Sequence, residues 1–367
     1  MRRFDWTTLD LAYLRKWTVI GIIIGVLSGL LVIAAYEAIR IFSSFFLSDI
    51  VRYIQPNPED VAKLTSNYTL YVLKPWLIPI ILGLVGLIIG ILSTKLSTAL
   101  GKNGIDEISD EFHNKKNQFS LKISSLRTLS NILAVGSGTS GGIEDSLAHT
   151  GSTLASIIGR VFKLNDEEIR IAITAGMGSA IGGILRLPFG GAIFSLELLY
   201  RRDFIIKSLF PVFLASITSY IISGIILNWP SFLYVPQEFI AKTSLQSLAA
   251  YGVIAAIIGI IGIGYVRTVH FFQKHFETIK IPLYFKPALG GLIIGIFAIG
   301  FPEILGTGYG WLQLGTVGNY QIFPLWIMFP VILMKIFATS VSNASKNGTG
   351  LLGPTLVIGG LMGSALI

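Results

Sequence analysis

From Trp17 to Phe46 the sequence runs through apolar residues with few interruptions, and this feature constrains the fold more than any other. About 20 apolar residues are enough for a helix to cross the hydrocarbon of a bilayer, so the run reads as a membrane span. It is too long for the apolar core of a cleavable signal and lacks a small-residue cleavage site. The rest of the chain has the same character: 52% of its 367 residues are hydrophobic and only 13% are charged, against about 25% charged in a soluble domain. That balance sets a ceiling of roughly nine or ten spans and predicts an all-α polytopic membrane protein of the cell membrane. Forty glycines exceed the usual share of about 7% and suit helices that pack closely or break inside the bilayer.

Several chemistries drop out at once. Without cysteine there are no disulfides, iron-sulfur clusters, thiolate zinc sites or cysteine nucleophiles. The four histidines, His113, His149, His270 and His275, form no H-E-x-x-H pair, the spacing of a zinc hydrolase. No catalysis, metal or cofactor is implied. The net charge of +8 is spread over segment ends and loops, where basic residues report topology and not a nucleic-acid partner. Arg2, Arg3, Arg15 and Lys16 are expected to hold the N-terminus in the cytoplasm. The loop 47–74, with the sequon Asn67-Tyr68-Thr69, is then external. A second span from Trp76 to Leu96 returns the chain to a polar stretch, 98–122, at the cytoplasmic face.

Beyond that stretch the apolar segments become short, at about 123–135, 146–162, 169–185 and 188–200. Most are too short to cross alone, the pattern expected where half-helices meet at an internal site. A second set follows at roughly 206–228, 245–268, 285–300, 322–341 and 351–367. Long spans followed by a Gly-rich break thus occur twice, as in inverted repeats. The expected division is 1–205, including an N-terminal cytoplasmic segment, and 206–367. The second part is shorter and its apolar run closes at Ile367 without a cap or flanking charge, so it is expected to be incomplete at that end.

Three breaks stand out: G-K-N-G-I-D-E (101–107), G-S-G-T-S-G-G-I-E-D-S (136–146) and N-G-T-G-L-L-G-P (347–354). If helices start at them, each aims exposed backbone N–H groups and a positive dipole end inward, and together they attract an anion. Ordinary turns between spans are the competing account.

The second break carries a resemblance. Val135 to Ser146, V-G-S-G-T-S-G-G-I-E-D-S, resembles without gaps the motif V-G-S-G-x-S-x-G-R-E-G-P of the CLC chloride channels and transporters. G-R-V-F-K-L (159–164), A-G-M-G-S-A-I-G-G (175–183), L-P-F-G-G-A-I-F-S-L-E (187–197), P-E-I-L-G-T-G-Y-G (302–310) and G-L-L-G-P (350–354) are similar to further motifs of that family, so the likeness covers about 17–367. It implies CLC-type inverted repeats with broken, partly re-entrant helices, and a homodimer in a lipid bilayer whose subunits each hold a pore for chloride or similar small anions. Transferred residue by residue, it implies an anion-binding set of Asn103, Gly104 and Ile105 at the first break, Gly142 and Ile143 at the second, and Leu351 and Leu352 at the third. Glu144 falls on the family's gating glutamate. The departures are Asn103 for the usual serine, Ile143, Asp145 and Ser146 for arginine, glycine and proline, and Leu352 for phenylalanine. The family's anion-coordinating tyrosine would lie beyond Ile367.

Glu144 can also be weighed on its own chemistry. A carboxylate at membrane depth costs about 2.5 to 3.5 kcal/mol on the insertion scale and marks an ion path or a partner. At a helix start it competes with an anion for the same positive site, and protonation would release it. A simple helix cap is the plainer alternative. Glu197 resembles the family's structural glutamate, and the next position, where proton-coupled members carry a second glutamate, is Leu198. The resemblance therefore implies passive, Glu144-gated anion permeation, with proton-coupled antiport as the alternative and a non-conducting relative as a third reading. Lys335 and Lys346, ahead of the third break, are read as making a vestibule attractive to anions, and Asp166 to Glu168 as a solvated helix start.

Overall fold

The computed structural model describes residues 10–58, 72–96, 104–114, 119–200, 206–228, 233–235, 244–320 and 322–366. Asn103 and the Asn67 sequon lie outside the described residues. Among the described residues thirteen α-helices follow one another: α1 (Leu11–Ser43), α2 (Leu77–Leu96), α3 (Gly104–Asn114), α4 (Leu121–Ser137), α5 (Glu144–Val161), α6 (Asp166–Ile184), α7 (Pro188–Tyr200), α8 (Leu209–Leu227), α9 (Leu245–Thr278), α10 (Lys286–Gly300), α11 (Tyr309–Thr316), α12 (Leu325–Ala344) and α13 (Leu352–Leu366). The last turns of the first span widen into a π-helix over Ser44–Val51.

Among the described residues six stretches are long and apolar enough to cross a bilayer: Leu11–Val51, Leu77–Thr94, Ile206–Leu227, Leu245–Thr278, Leu283–Gly300 and Leu325–Ala344. The chain is a multi-pass membrane protein. Helix α7 coincides with the apolar segment 188–200, and α2 and α10 start within a residue of expectation. Helix α9 runs on past 268 to Thr278, because Arg267, His270 and Lys274 lower the local hydropathy without breaking the helix. Helices α3 and α11 lie where the sequence offered only a polar stretch and a motif.

The chain forms two compact units, each assembled from separated stretches. Unit 1 takes 1–37, 102–128 and 144–230; unit 2 takes 38–101, 129–143 and 231–367. In unit 1, α6 packs against α5, α7 and α8. Its start is fixed by a capping box: Asn165 accepts from the Glu168 N–H at 2.9 Å, and the Glu168 carboxylate accepts from the Asn165 N–H at 3.2 Å. Asp166 and Glu167 are exposed there, as a solvated start requires. In unit 2, α2 lies along α10 and α12 along α9. Leu47, Tyr53, Ile78, Leu82 and Ile294 form one buried cluster of this unit, and Trp311, Phe323, Met328 and Leu361 another.

Without water between helices, association depends on backbones coming close, which small residues permit. Gly21, Gly25 and Gly29 form such a stripe on α1 facing α8; a Cβ at Gly25 would sit 2.6 Å from the Ala215 carbonyl oxygen. The α5–α6 crossing is tighter. A Cβ at Gly176 would lie 2.3 Å from the Gly151 oxygen and 2.6 Å from the Ala155 Cβ. Gly176→Leu is therefore expected to cost about 3 kcal/mol or more through overpacking and to remove the monodisperse protein from size-exclusion profiles. Gly224→Ala, where nothing lies within 4 Å of the new Cβ, should leave the profile unchanged.

Candidate functional site

Helices begin at all three breaks: α3 at Gly104, α5 at Glu144 and α13 at Leu352. The first N–H groups of each helix have no intrahelical acceptor, and acidic residues occupy the first turns of α3 (Asp106, Glu107) and α5 (Glu144, Asp145). Ile105 follows Gly104 in the first turn of α3.

In unit 2 the second and third breaks are joined. Helix α4 ends at Ser137, and Gly138 turns the chain at φ +108°, a region glycine enters without strain. The Gly142 N–H donates to the Gly350 carbonyl at 2.9 Å and the Gly350 N–H donates back to Gly142 at 2.8 Å. Buried Asn131 ties the same segments, its amide donating to the carbonyls of Gly142 and Gly348, each at 2.9 Å. Gly141 has no room for a side chain, since a Cβ would lie 2.2 Å from the Cβ of Thr349. Gly142 and Ile143 are buried, whereas Leu351 and Leu352, just past the join, are half-buried.

A further loop, 304–308, belongs to this arrangement. The Gly306 N–H donates to the Gly138 carbonyl at 2.8 Å, and the Gly141 N–H donates to the Gly306 carbonyl at 3.3 Å. The Lys335 ammonium donates to the carbonyls of Ile304 at 2.9 Å and Gly306 at 2.7 Å. Lys335 is 1% exposed, so it fastens a loop and does not line a vestibule; Lys346 is exposed. One signal for these ties lies in the sequence, an asparagine inside the apolar segment 123–135, because a polar side chain there normally has a partner.

In unit 1, Gly104 abuts the first turn of α5: a Cβ there would come within 2.5 Å of the Asp145 carbonyl oxygen. Glu144 is fully buried at the start of α5, the helix whose dipole favours an anion at that end. Below it, α4 and α5 are held by hydroxyl pairs, Thr128 with Thr150 and Ser124 with Thr153, both at 2.7 Å. Arg127 pairs with Glu107, whose other oxygen lies 3.6 Å from His149 Nε2. Glu197 is exposed and Leu198 half-buried on α7. Among the described residues no group of three or more His, Asp or Glu is arranged to hold a metal ion.

Comparison with known proteins fits this architecture. A family model described as voltage gated chloride channel matches residues 85–367. The chain is 24% identical over 354 residues to an uncharacterized protein of Methanocaldococcus jannaschii, covering 95% of this chain and 78% of that protein. It is 27% identical over 246 residues to the voltage-gated ClC-type chloride channel ClcB of Escherichia coli, covering 66% of this chain and 56% of ClcB. A slow cyanobacterial Cl−/H+ antiporter shares the fold with a TM-score of 0.80 at 17% identity, over 95% of this chain and 78% of the other. A CLC-type fluoride/proton antiporter does so with 0.74 at 18%, over 97% and 80%. The ordered motifs, the helical fold and the family match agree, and the chain belongs to the CLC family of voltage gated chloride channels.

Proposed function

We propose that this chain carries small inorganic anions, chloride first, across the cell membrane in exchange for protons, with Glu144 as the gate. The observation that carries the reading is the position of Glu144, fully buried as the first residue of α5 and two residues past the Gly142–Gly350 join. A carboxylate there occupies ground an anion would otherwise take, and a proton neutralises it. Membership of the family supports anion transport. The names of the solved relatives, Cl−/H+ and F−/H+ antiporters, favour exchange over the passive permeation expected from the sequence. Passive permeation is kept as a second reading on one observation, Leu198, which cannot titrate. The proposal includes a homodimer with one route per subunit, a cytoplasmic N-terminus, and repeats divided near 205.

Purified protein in liposomes loaded with chloride and a pH-sensitive dye tests the reading. An outward chloride gradient should drive protons inward against their own gradient. Chloride efflux without proton movement would favour the channel reading, and no efflux from folded full-length protein would remove both.

The anion-binding set of the proposal is Asn103, Gly104, Ile105, Gly142, Ile143, Leu351 and Leu352. A serine at 103 would offer one hydroxyl donor, whereas the asparagine amide offers two N–H donors and a carbonyl oxygen that repels an anion when turned inward. Asn103→Ser is expected to change the order of chloride, bromide and nitrate efflux rates. Identical orders in both proteins would take Asn103 out of the set.

A further inference from the structure

Unit 1 contains a buried histidine that the gate does not use. The His149 side chain is 2% exposed, and its Nδ1 has no hydrogen-bond partner. Its Nε2 lies 3.6 Å from Oε1 of Glu107, whose side chain is 24% exposed. Glu107 thus touches solvent on one side and the imidazole on the other. Its second oxygen is held by Arg127, which fixes the carboxylate in place, and the Phe119 ring packs edge-on against the imidazole with centroids 5.7 Å apart. The His149 Cβ lies 3.3 Å from the site of a Cβ on Gly104, so the imidazole stands beside the start of α3. On its own helix it follows Asp145 by one turn and Glu144 by five residues.

We propose that His149 is a proton-binding site of the transport cycle, loaded through Glu107. In this step a proton from a solvent hydronium ion passes by way of the Glu107 carboxylate to His149 Nε2: an N–H bond forms, and the hydronium becomes water. The groups that act on the imidazole charge are known from each side. Burial and the Arg127 guanidinium of α4 oppose a charged imidazole, while Glu107 and Glu111 of α3 favour it; Asp145, on α5 itself, adds a further acid one turn away. The charged form would place a cation next to the start of α3 and one turn from the first residues of α5, the two places in unit 1 suited to an anion. Proton and anion occupancy would then rise together. The inference rests on the exchange reading for its role in the cycle, but the site itself can be tested without any flux.

Imidazole NMR of histidine-labelled full-length protein reports the site, since only four histidines contribute and His149→Gln identifies the fourth signal by its loss. The His149 signal should titrate as the pH is lowered, below the ordinary histidine range, because burial opposes the charged imidazole. In Glu107→Gln its midpoint should fall by at least about one unit, the effect of removing a carboxylate within 4 to 6 Å. A signal fixed in one protonation state over the whole acidic range in which the protein stays folded, or a midpoint unmoved by Glu107→Gln, would overturn the proposal. In liposomes, His149→Gln should keep anion efflux while proton movement per anion is lost, because the glutamine amide binds no proton in this range. An unchanged ratio would count against His149. Wild-type protein that moves anions but no protons would instead defeat the exchange reading, leaving the NMR titration to decide on the proton site.

Discussion

Replacing Glu144 by glutamine is expected to raise chloride efflux at neutral pH and to end proton movement. A charge at a partly buried helix terminus is worth up to about 2 kcal/mol, and at about 1.4 kcal/mol per factor of ten its removal should shift the gate by roughly thirtyfold. Glutamine has nearly the volume of glutamate without its titratable charge, so the acid activation expected of the wild type should flatten. If the side chain blocks the route by bulk alone, glutamine behaves like glutamate and only Glu144→Ala opens it. Efflux over a pH series for wild type, Gln and Ala forms separates these cases. One common rate and pH profile for all three would make Glu144 a helix cap and remove the core of the proposed mechanism.

The second large effect is expected at Lys335. Its ammonium donates to two carbonyls of the 304–308 loop, and that loop is hydrogen-bonded to the break that carries Gly142 and Ile143. Hydrogen bonds to a charged group contribute about 1.5 to 3 kcal/mol each, but burying an ammonium costs several kcal/mol. The two nearly offset. Lys335→Met, of similar length and uncharged, should therefore change thermal stability by no more than about 2 kcal/mol. It leaves the loop without its fastening, and anion efflux should drop at least about tenfold, the equivalent of about 1.4 kcal/mol in the geometry of the route. Wild-type efflux from Lys335→Met protein would show that the loop holds its shape unaided.

Most of the helices were legible because the bilayer imposes long apolar segments, and α2, α7 and α10 start where hydropathy puts them. Helix α3 was not. Its buried residues, Ile108 and Phe112, are spaced for one helix face, but Asp106, Glu107, Asp110 and Glu111 mask them in any average. Helix α11 has eight residues, too few for a periodic signal. The three helix starts at the candidate site were readable as Gly-rich interruptions of apolar sequence, and the family motifs pointed to the same positions. The tie from Lys335 to Gly306 was not readable, since it joins positions 29 residues apart through backbone carbonyls that any sequence possesses. The same holds for the His149–Glu107 pair: two ordinary polar residues become neighbours only when α3 is laid on α5.

The join between Gly142 and Gly350 is built wholly from main-chain groups. Every residue type brings a peptide C=O, and every type but proline a peptide N–H, so side chains can change at positions with room for them without removing this join, whereas Gly141 cannot take a Cβ. Ile143, Asp145, Ser146 and Leu352, the positions where the chain parts from the family motifs, all flank it. A protein wired in this way can diverge in the chemistry lining its route while the scaffold that aims the helices stays fixed.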